Sequence, residues 1–320
     1  MPTQRETNPY KNTDTNKRYY TYDYYLRKTF GGKCLKIPLD IGCTCPNIDG
    51  TRGKGGCIYC SSRGSGDFAA PSELSIAEQC AKGKEALQKK WQVDRVIPYF
   101  QAHTNTYADV KFLRQKFYEA LAVKNAVAMN IATRADCLGD DIIELLCEIA
   151  EKTVLTVELG LQSTNDETAA AINRCHTYEE FLDGYNKLRN SSDKIRIGVH
   201  IINGLPGEGR TDMLKTVRDV ALLLPDEVKI HLLHVIKGTR LANVYEQGEY
   251  TPLTLEEYVS IVTEQISLLP ADTVIGRLTG DGAASELLAP LWSLKKTNVI
   301  NSIDKLMFAK NLWQGKNYNK

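Results

Sequence analysis

The stretch Gly42–Ser62, GCTCPNIDGTRGKGGCIYCSS, carries four cysteines in two pairs, Cys43/Cys45 and Cys57/Cys60. The pairs flank an eleven-residue loop, 46–56, that contains Gly50, Gly53, Gly55 and Gly56. Cys57 and Cys60 are spaced so that one tight turn brings both sulfurs to one side. Cys43 and Cys45 differ by two, point the same way on an extended chain, and either can supply a third sulfur. Four thiolates close the tetrahedral shell of a structural zinc. Three suit an iron–sulfur cluster with one iron open, and glycines let the backbone lie close and aim N–H groups at sulfur. Spacing leaves both readings open.

What surrounds the loop bears on the choice. Apolar, β-branched runs alternate with amphipathic helical stretches. The strand-like runs are KCLKIPLDIG (33–42), DRVIPYFQ (94–101), AVAMNIATR (126–134), VLTVELGLQ (154–162), KIRIGVHIING (194–204) and EVKIHLLHVI (227–236). Helical spacing falls between them, over 75–90, 109–124, 140–151, 178–190 and 211–224. Nearly continuous apolar strands are the pattern of a parallel sheet buried on both faces. Six βα units in series predict an α/β fold, a partial (β/α)6 TIM-like barrel short of the eight units of a closed one. A further helix at about 256–269 and a strand at 273–280 extend the sheet edge. The division expected is a basic, tyrosine-rich arm over 1–32, the partial barrel over 33–240 with its cysteine loop at 43–62, and an extension over 241–320 ending in a lysine-rich tail.

Parallel α/β folds place their sites at the carboxyl ends of strands. Here those ends carry the cysteine loop, FQAHTNTY, TRAD with Thr133, Arg134 and Asp136, ELGLQS with Glu158 and Gln162, HIINGLPGEG and HLLHVIKGT. A cysteine loop on the first such end argues for a reactive cofactor over a structural knuckle. GLPGEG lacks the Gly-Lys-Ser/Thr of a phosphate loop and reads equally as a tight strand-to-helix turn.

Bulk properties name no partner. The 320 residues have a net charge of +1, and nine cysteines, an odd number, fit a reduced, cytoplasmic setting. No apolar leader segment and no membrane-length run is visible. The ends are locally basic. Residues 1–33 hold seven Lys/Arg against three acids with six tyrosines, and residues 295–320 hold six lysines against Asp304. Such segments are either solvated tails or a grip on a phosphate backbone with stacking rings.

These motifs resemble a known family. A cysteine loop after the first strand of a six-unit partial barrel is similar to the radical S-adenosylmethionine (radical SAM) superfamily. CPNIDGTRGKGGCIYC (45–60) resembles more closely the family of bacterial YhcC and YtqA, also called MnmL. Its wide spacing is also seen in the catalytic subunit of Elongator. The resemblance covers roughly residues 20–295 and includes YFQAHTNTYA, TRADCL, ELGLQS, INRCH, GLPGE, HLLHVIKGT and APLW.

The resemblance implies a 4Fe-4S cluster on three cysteines, with S-adenosylmethionine (SAM) on the fourth iron. It implies reductive cleavage of SAM to a 5′-deoxyadenosyl radical that abstracts hydrogen from substrate. The family's first ligand directly precedes Pro-Asn, so Cys45, Cys57 and Cys60 are the expected ligands and Cys43 the spare. Ile48 stands where the family commonly has Arg, and Cys175 where it commonly has Gly. Expected SAM holders are Gln162 and His200 for the ribose or methionine part, Arg174 for the carboxylate, Gln101 and Thr104 for the amino group, with Thr133 and Glu158 beside them. Glu158 reads equally as the partner of a buried Lys or Arg. Substrate residues are expected among His231, His234, Lys237, Arg277 and Asp281, with His103 and His176 also at the active end. His231 and His234, three apart on one strand, are expected to face opposite sides.

The family further implies an enzyme acting on tRNA, converting a carboxymethylaminomethyl group on wobble uridine to aminomethyl, with an electron donor of flavodoxin or ferredoxin type. The competing readings are radical chemistry on a small molecule or protein, and a zinc-stabilised binding module without activity.

Overall fold

The computed structural model describes residues 8–88, 91–280 and 282–319. In chain order the elements are α1 (Tyr22–Phe30), β1 (Leu35–Leu39), α2 (Ile76–Gln88), β2 (Val96–Phe100), α3 (Val110–Leu121), β3 (Ala128–Thr133), α4 (Asp140–Ala150) and β4 (Val154–Gln162). They continue with α5 (Asp166–Ala171), α6 (Tyr178–Ser191), β5 (Ile195–Asn203), α7 (Arg210–Leu222), β6 (Glu227–Leu232), β7 (Val235–Ile236), α8 (Arg240–Glu246), α9 (Leu255–Leu268), β8 (Val274–Arg277), β9 (Leu287–Ala289) and α10 (Lys296–Ala309).

Seven strands form one parallel sheet in the order β1-β2-β3-β4-β5-β6-β8. This is the open half-barrel of the predicted class, with the late strand as its seventh stave. Helices cover the outside, and the main core lies between them and the strands through Leu113, Phe117, Leu145, Phe181, Val217 and Val262, all fully buried. Capping boxes at Thr177/Glu180 and Thr254/Glu257 fix the starts of α6 and α9. The strand predicted over 227–236 breaks into β6 and β7, and α1, α5, α8, β9 and α10 have no counterpart among the predicted elements.

The arm departs from both readings of it. None of its six tyrosines is exposed. Tyr10 donates to Ala271 O at 2.7 Å, and Ile275 N donates to Tyr20 O at 2.8 Å, which ties the arm to β8. Thr21 caps α1, accepting from Tyr24 N. Tyr25 and Leu26 then pack on Ile97, Ala128 and Val274, at the amino ends of β2, β3 and β8. The arm is a plug under the barrel, at the end opposite the cysteine loop, because its rings bury more favourably against those apolar strand starts than in water. It offers no stacking platform for bases.

The lysine-rich tail is likewise not loose. Val299, Ile303 and Met307 seat α10 in the core, and Asp304 pairs with Lys17 of the arm. Lys295, Lys296, Lys305, Lys310 and Lys316 stay exposed. Among the described residues no helix is long and apolar enough to cross a membrane.

Candidate active site

The loop after β1 folds on itself through its own backbone. Ile48 N donates to Cys45 O at 2.8 Å, Arg52 N to Pro46 O at 2.8 Å, and Gly56 N to Asn47 O at 2.8 Å. Gly50, Gly55 and Gly56 adopt φ of +96°, +77° and +70°, where a side chain would be strained. Gly53 is required for a different reason: a Cβ there would stand 2.6 Å from Cys175 Sγ and 2.4 Å from Asn47 Oδ1. Cys175 adopts a left-handed backbone, with φ +58°, and its sulfur occupies the space Gly53 leaves.

The four cysteines of the loop now separate. Cys45, Cys57 and Cys60 line a cavity of about 970 Å³ inside the barrel. Cys43 is buried in the main core and does not line it. Burial pushes the Cys43 thiol up to about 12, which makes it an inert apolar filler. The hydrogen bond from Cys60 holds Cys57 below the ordinary thiol value, helped by Asn47 and the Arg134 charge. Asn47 is fully buried, and its Nδ2 donates to Cys57 Sγ at 3.5 Å.

Among the described residues, no three His, Cys, Asp or Glu side chains converge around one point as a single metal ion needs. Three thiols on one cavity wall match the number that a cluster with one open iron needs. They do not fit a closed zinc knuckle, which would need Cys43 to leave the core.

Arg134 braces the loop. Its guanidinium holds Asp136 with two bonds, at 2.9 and 2.8 Å, and donates to Arg174 O at 2.8 Å. Arg52, from the loop itself, reaches Asp136 at 3.4 Å.

Of the expected SAM holders, Gln101, Thr104, Thr133, Gln162, Arg174, Glu158 and His200 all line the cavity. Thr133 Oγ1 is bonded to Thr106 Oγ1 at 2.6 Å, and Gln101 Nε2 to Ser65 O at 2.9 Å. Gln162 sits at a register shift ending β4, with φ +67°. Arg174 is corrected. It is 1% exposed, and its guanidinium donates to the carbonyls of Leu161, Ser163 and His176. It stitches the β4–α5 turn and presents no open fork to a carboxylate.

Among the expected substrate residues, His231, His234 and Arg277 line the cavity. Lys237 does not: its ammonium donates to Ser285 O at 2.7 Å, outside the site. The expectation that the two histidines face opposite sides also fails. β6 ends at Leu232, so the break before β7 frees His234 from strand alternation, and both rings reach the same space. Asp281 lies outside the described residues.

Below the cysteines, the sequence reading missed most of a polar floor. Glu158, fully buried, accepts from Lys36 Nζ at 2.6 Å, Asn130 Nδ2 at 2.7 Å and Lys229 Nζ at 2.5 Å, and its other contact is His200 Nε2 at 3.0 Å. These partners stand on β1, β3, β6 and β5. The Lys36 ammonium also lies 3.9 Å from the centre of the Tyr99 ring. Glu158 is therefore the partner of two lysines, Lys229 buried and Lys36 half-buried. Burial alone would raise its pKa, but the two ammoniums and His200 hold it well below the usual carboxylate value. Burial lowers Lys229 in turn. The available signal was a lysine inside each of two strands, Lys36 and Lys229, with nothing in the local pattern to place them inward.

All five histidines of the chain are held low, in each case mainly by burial: His200 and His234 at about 4, His176 at about 3, His103 and His231 lowered as well. The unfolded chain protonates them near 6.5, whereas the folded chain does so only at lower pH. Stability is therefore full at neutral pH and falls as pH drops from about 6.5 towards 4, by about 1–2 kcal/mol at pH 5 for each of the largely buried His176, His200 and His234. The urea midpoint of cluster-free protein is expected to fall clearly between pH 7 and pH 5. A midpoint that stays constant over that range would refute this account.

Comparison with known proteins agrees with the geometry. Residues 48–220 match the radical SAM superfamily domain, and residues 225–309 the radical SAM C-terminal domain. YtqA of Bacillus subtilis is 43% identical over 311 residues, covering 97% of this chain and 96% of that protein. The tRNA uridine(34) acetyltransferase of Methanocaldococcus jannaschii is 30% identical over 196 residues, 60% of this chain but only 35% of that protein. The structure of archaeal Methanocaldococcus infernus Elp3 lacking residues 1–46 superposes with a TM-score of 0.65 at 20% identity. That match covers 88% of this chain and 63% of the other, so this chain spans less than two thirds of it. With three cysteines at the mouth of a half-barrel cavity and a domain match over more than half its length, this chain belongs to the radical SAM superfamily, enzymes that use a 4Fe-4S cluster and S-adenosylmethionine.

Proposed function

We propose that this enzyme modifies the wobble uridine of tRNA, converting a carboxymethylaminomethyl substituent to aminomethyl. Cys45, Cys57 and Cys60 hold the cluster, and Gln101, Thr104, Thr133, Gln162 and His200 border the space for SAM. Bound there, the cluster and SAM supply the radical that abstracts hydrogen. The chain's own part is to orient and to exclude water. Arg134, Arg52 and Asp136 fix the cysteine loop to β3, Asn47 directs an N–H at the Cys57 sulfur, and the α1 plug closes the amino end of the barrel. A donor of flavodoxin or ferredoxin type delivers the electron at the cysteine end.

The observation that carries the tRNA reading is the likeness to a tRNA uridine(34) acetyltransferase over 60% of this chain. The exposed lysines of residues 295–316 support it, since phosphate contacts need accessible cations. The arm lends no support, none of its rings being exposed.

The test is mass spectrometry of nucleosides from tRNA of cells lacking the protein. The aminomethyl form is expected to disappear and the carboxymethylaminomethyl form to accumulate. An unchanged profile would overturn the proposal. Binding of tRNA should weaken steeply with salt, and insensitivity to salt would count against a phosphate grip.

A further inference from the structure

The proposed reaction sets a demand on the rim of the cavity. The hydrogen to be abstracted lies on a substituent of the wobble base, so that base must leave the anticodon stack and enter the cavity. The base beside it then loses a stacking partner. Proteins that hold unstacked bases ordinarily offer them an aromatic face. The arm supplies none, since none of its rings is exposed.

The segment that follows the last cysteine of the loop does. Phe68 lines the cavity and is 56% exposed. Trp91, the other exposed aromatic that lines it, has the Lys33 ammonium 3.7 Å from its ring centre. Ile48 of the cysteine loop, 40% exposed, lines the same cavity, so the rim carries two outward apolar side chains. Single apolar side chains on a surface need no explanation, but apolar side chains that rim a site mark a contact surface.

Phe68 is exposed on a segment that is pinned along its length. His103 N donates to Gly64 O at 2.9 Å and Gln101 Nε2 to Ser65 O at 2.9 Å, which ties the segment to the residues after β2. Within it, Gly66 N donates to Arg63 O at 2.8 Å, Ala69 N to Gly66 O at 3.0 Å, and Arg63 Nη2 to Ala69 O at 2.9 Å. The fit is close: a Cβ on Gly64 would stand 2.3 Å from His103 Nδ1, and one on Gly66 2.7 Å from Ala102 Cβ. Ser65 and His103, neither of them glycine, take left-handed backbones at φ +68° and +57° in making it. The neighbouring Ala69 is buried while the larger Phe68 is turned out. The fold therefore presents this ring at the rim.

We propose that Phe68 is the stacking platform for a base that flanks the wobble nucleotide. Its ring takes the place that the wobble base leaves in the anticodon stack, and Ile48 adds an apolar edge to the same rim. Every base has a face to stack, so the contact holds the loop without selecting among anticodons. This rests on the proposed tRNA reading and adds to it the residue that receives the opened loop.

The test uses holoenzyme reconstituted with SAM and without reductant. The ligand is anticodon stem-loop RNA with carboxymethylaminomethyl uridine at the wobble position, and binding is read by fluorescence anisotropy. Phe68→Ala is expected to weaken binding about tenfold, the loss of one stacked base, and Phe68→Trp to keep it. Stacking carries no charge, so the slope of affinity against salt is expected to be the same in wild type and Phe68→Ala. Affinity for radiolabelled SAM is expected to be unchanged. In two further RNAs, 2-aminopurine replaces the nucleotide on the 5′ or the 3′ side of the wobble position. One of the two is expected to be dimmer in the Phe68→Trp complex than in the Phe68→Ala complex, because the indole stacks on it and quenches it. Phe68→Leu, apolar but without a ring face, takes the place of Phe68→Ala if that variant fails to fold by circular dichroism and iron content. Equal RNA affinity in wild type and the folded variant overturns the platform. So does equal brightness of both labelled RNAs in the two complexes, or a changed salt slope. Loss of SAM affinity with RNA binding kept also overturns it and would place the ring over SAM. If wild type binds none of these RNAs, the tRNA reading itself fails. If wild type binds and modifies tRNA and Phe68→Ala behaves as wild type, only the platform fails.

Discussion

Cys57→Ala is expected to remove the cluster and with it all reductive cleavage of SAM, while Cys43→Ala keeps both. Wild type reconstituted without oxygen should hold about four irons per chain. Cys45→Ala, Cys57→Ala and Cys60→Ala should each fall well below this, with loss of the cluster's visible absorbance and of 5′-deoxyadenosine formation. The ground is placement: these three thiols line the cavity, and Cys43 lies among Ile37, Leu39 and Ile41. Cys43→Ala removes only a small buried group, at a cost of about 1 kcal/mol in stability. Iron retained in Cys45→Ala but lost in Cys43→Ala would reverse the assignment of the first ligand. A gain of one zinc per chain in any preparation, with no iron, would restore the closed-site reading that family membership now opposes.

Glu158→Ala should be the most damaging change in the barrel floor. It strands the ammoniums of Lys36 and Lys229 next to each other, one of them buried, and leaves Asn130 and His200 without their acceptor. Removing one partner of a buried ion network costs about 3–5 kcal/mol. The cost comes from uncompensated charge, so it should shrink when the charges go together. A Lys36→Met, Glu158→Leu, Lys229→Met triple variant is expected to recover much of the loss, measured by urea unfolding of cluster-free protein. Equal destabilisation of the single and triple variants would show that Glu158 acts through packing alone. Glu158→Gln keeps the shape but not the charge and should lie between wild type and Glu158→Ala.

Much of this architecture was legible along the chain. Six helices and six strands stand within a few residues of where periodicity predicts them, because each buries an apolar stripe or face that its own residues spell out. The late strand was readable too, as was the cysteine loop as a site, since its spacing and its position after β1 are local facts. The missed elements are short or end-bound: α5 and α8 have six and seven residues, too few for a period to show.

Side-chain commitments were much less legible. Arg174 was expected to hold a carboxylate, yet folding spends its donors on three carbonyls of the neighbouring turn. Lys237 reads like a site lysine and lies outside the cavity, whereas His234 enters it through a two-residue break in strand pairing. The tyrosine arm has the composition of a nucleic-acid grip and is a plug.

By itself, then, the sequence determined the element order, the parallel half-barrel, the cysteine loop and the superfamily, because each rests on spacing within one short segment. The tertiary structure decided which of the four loop cysteines face the cavity, where the arm goes, and that Lys36, Asn130, Glu158, His200 and Lys229 form one network. Those residues lie on five strands spread over almost two hundred positions. Only the register of the sheet brings them within hydrogen-bond distance, and only burial turns their charges from solvated tips into mutual obligations.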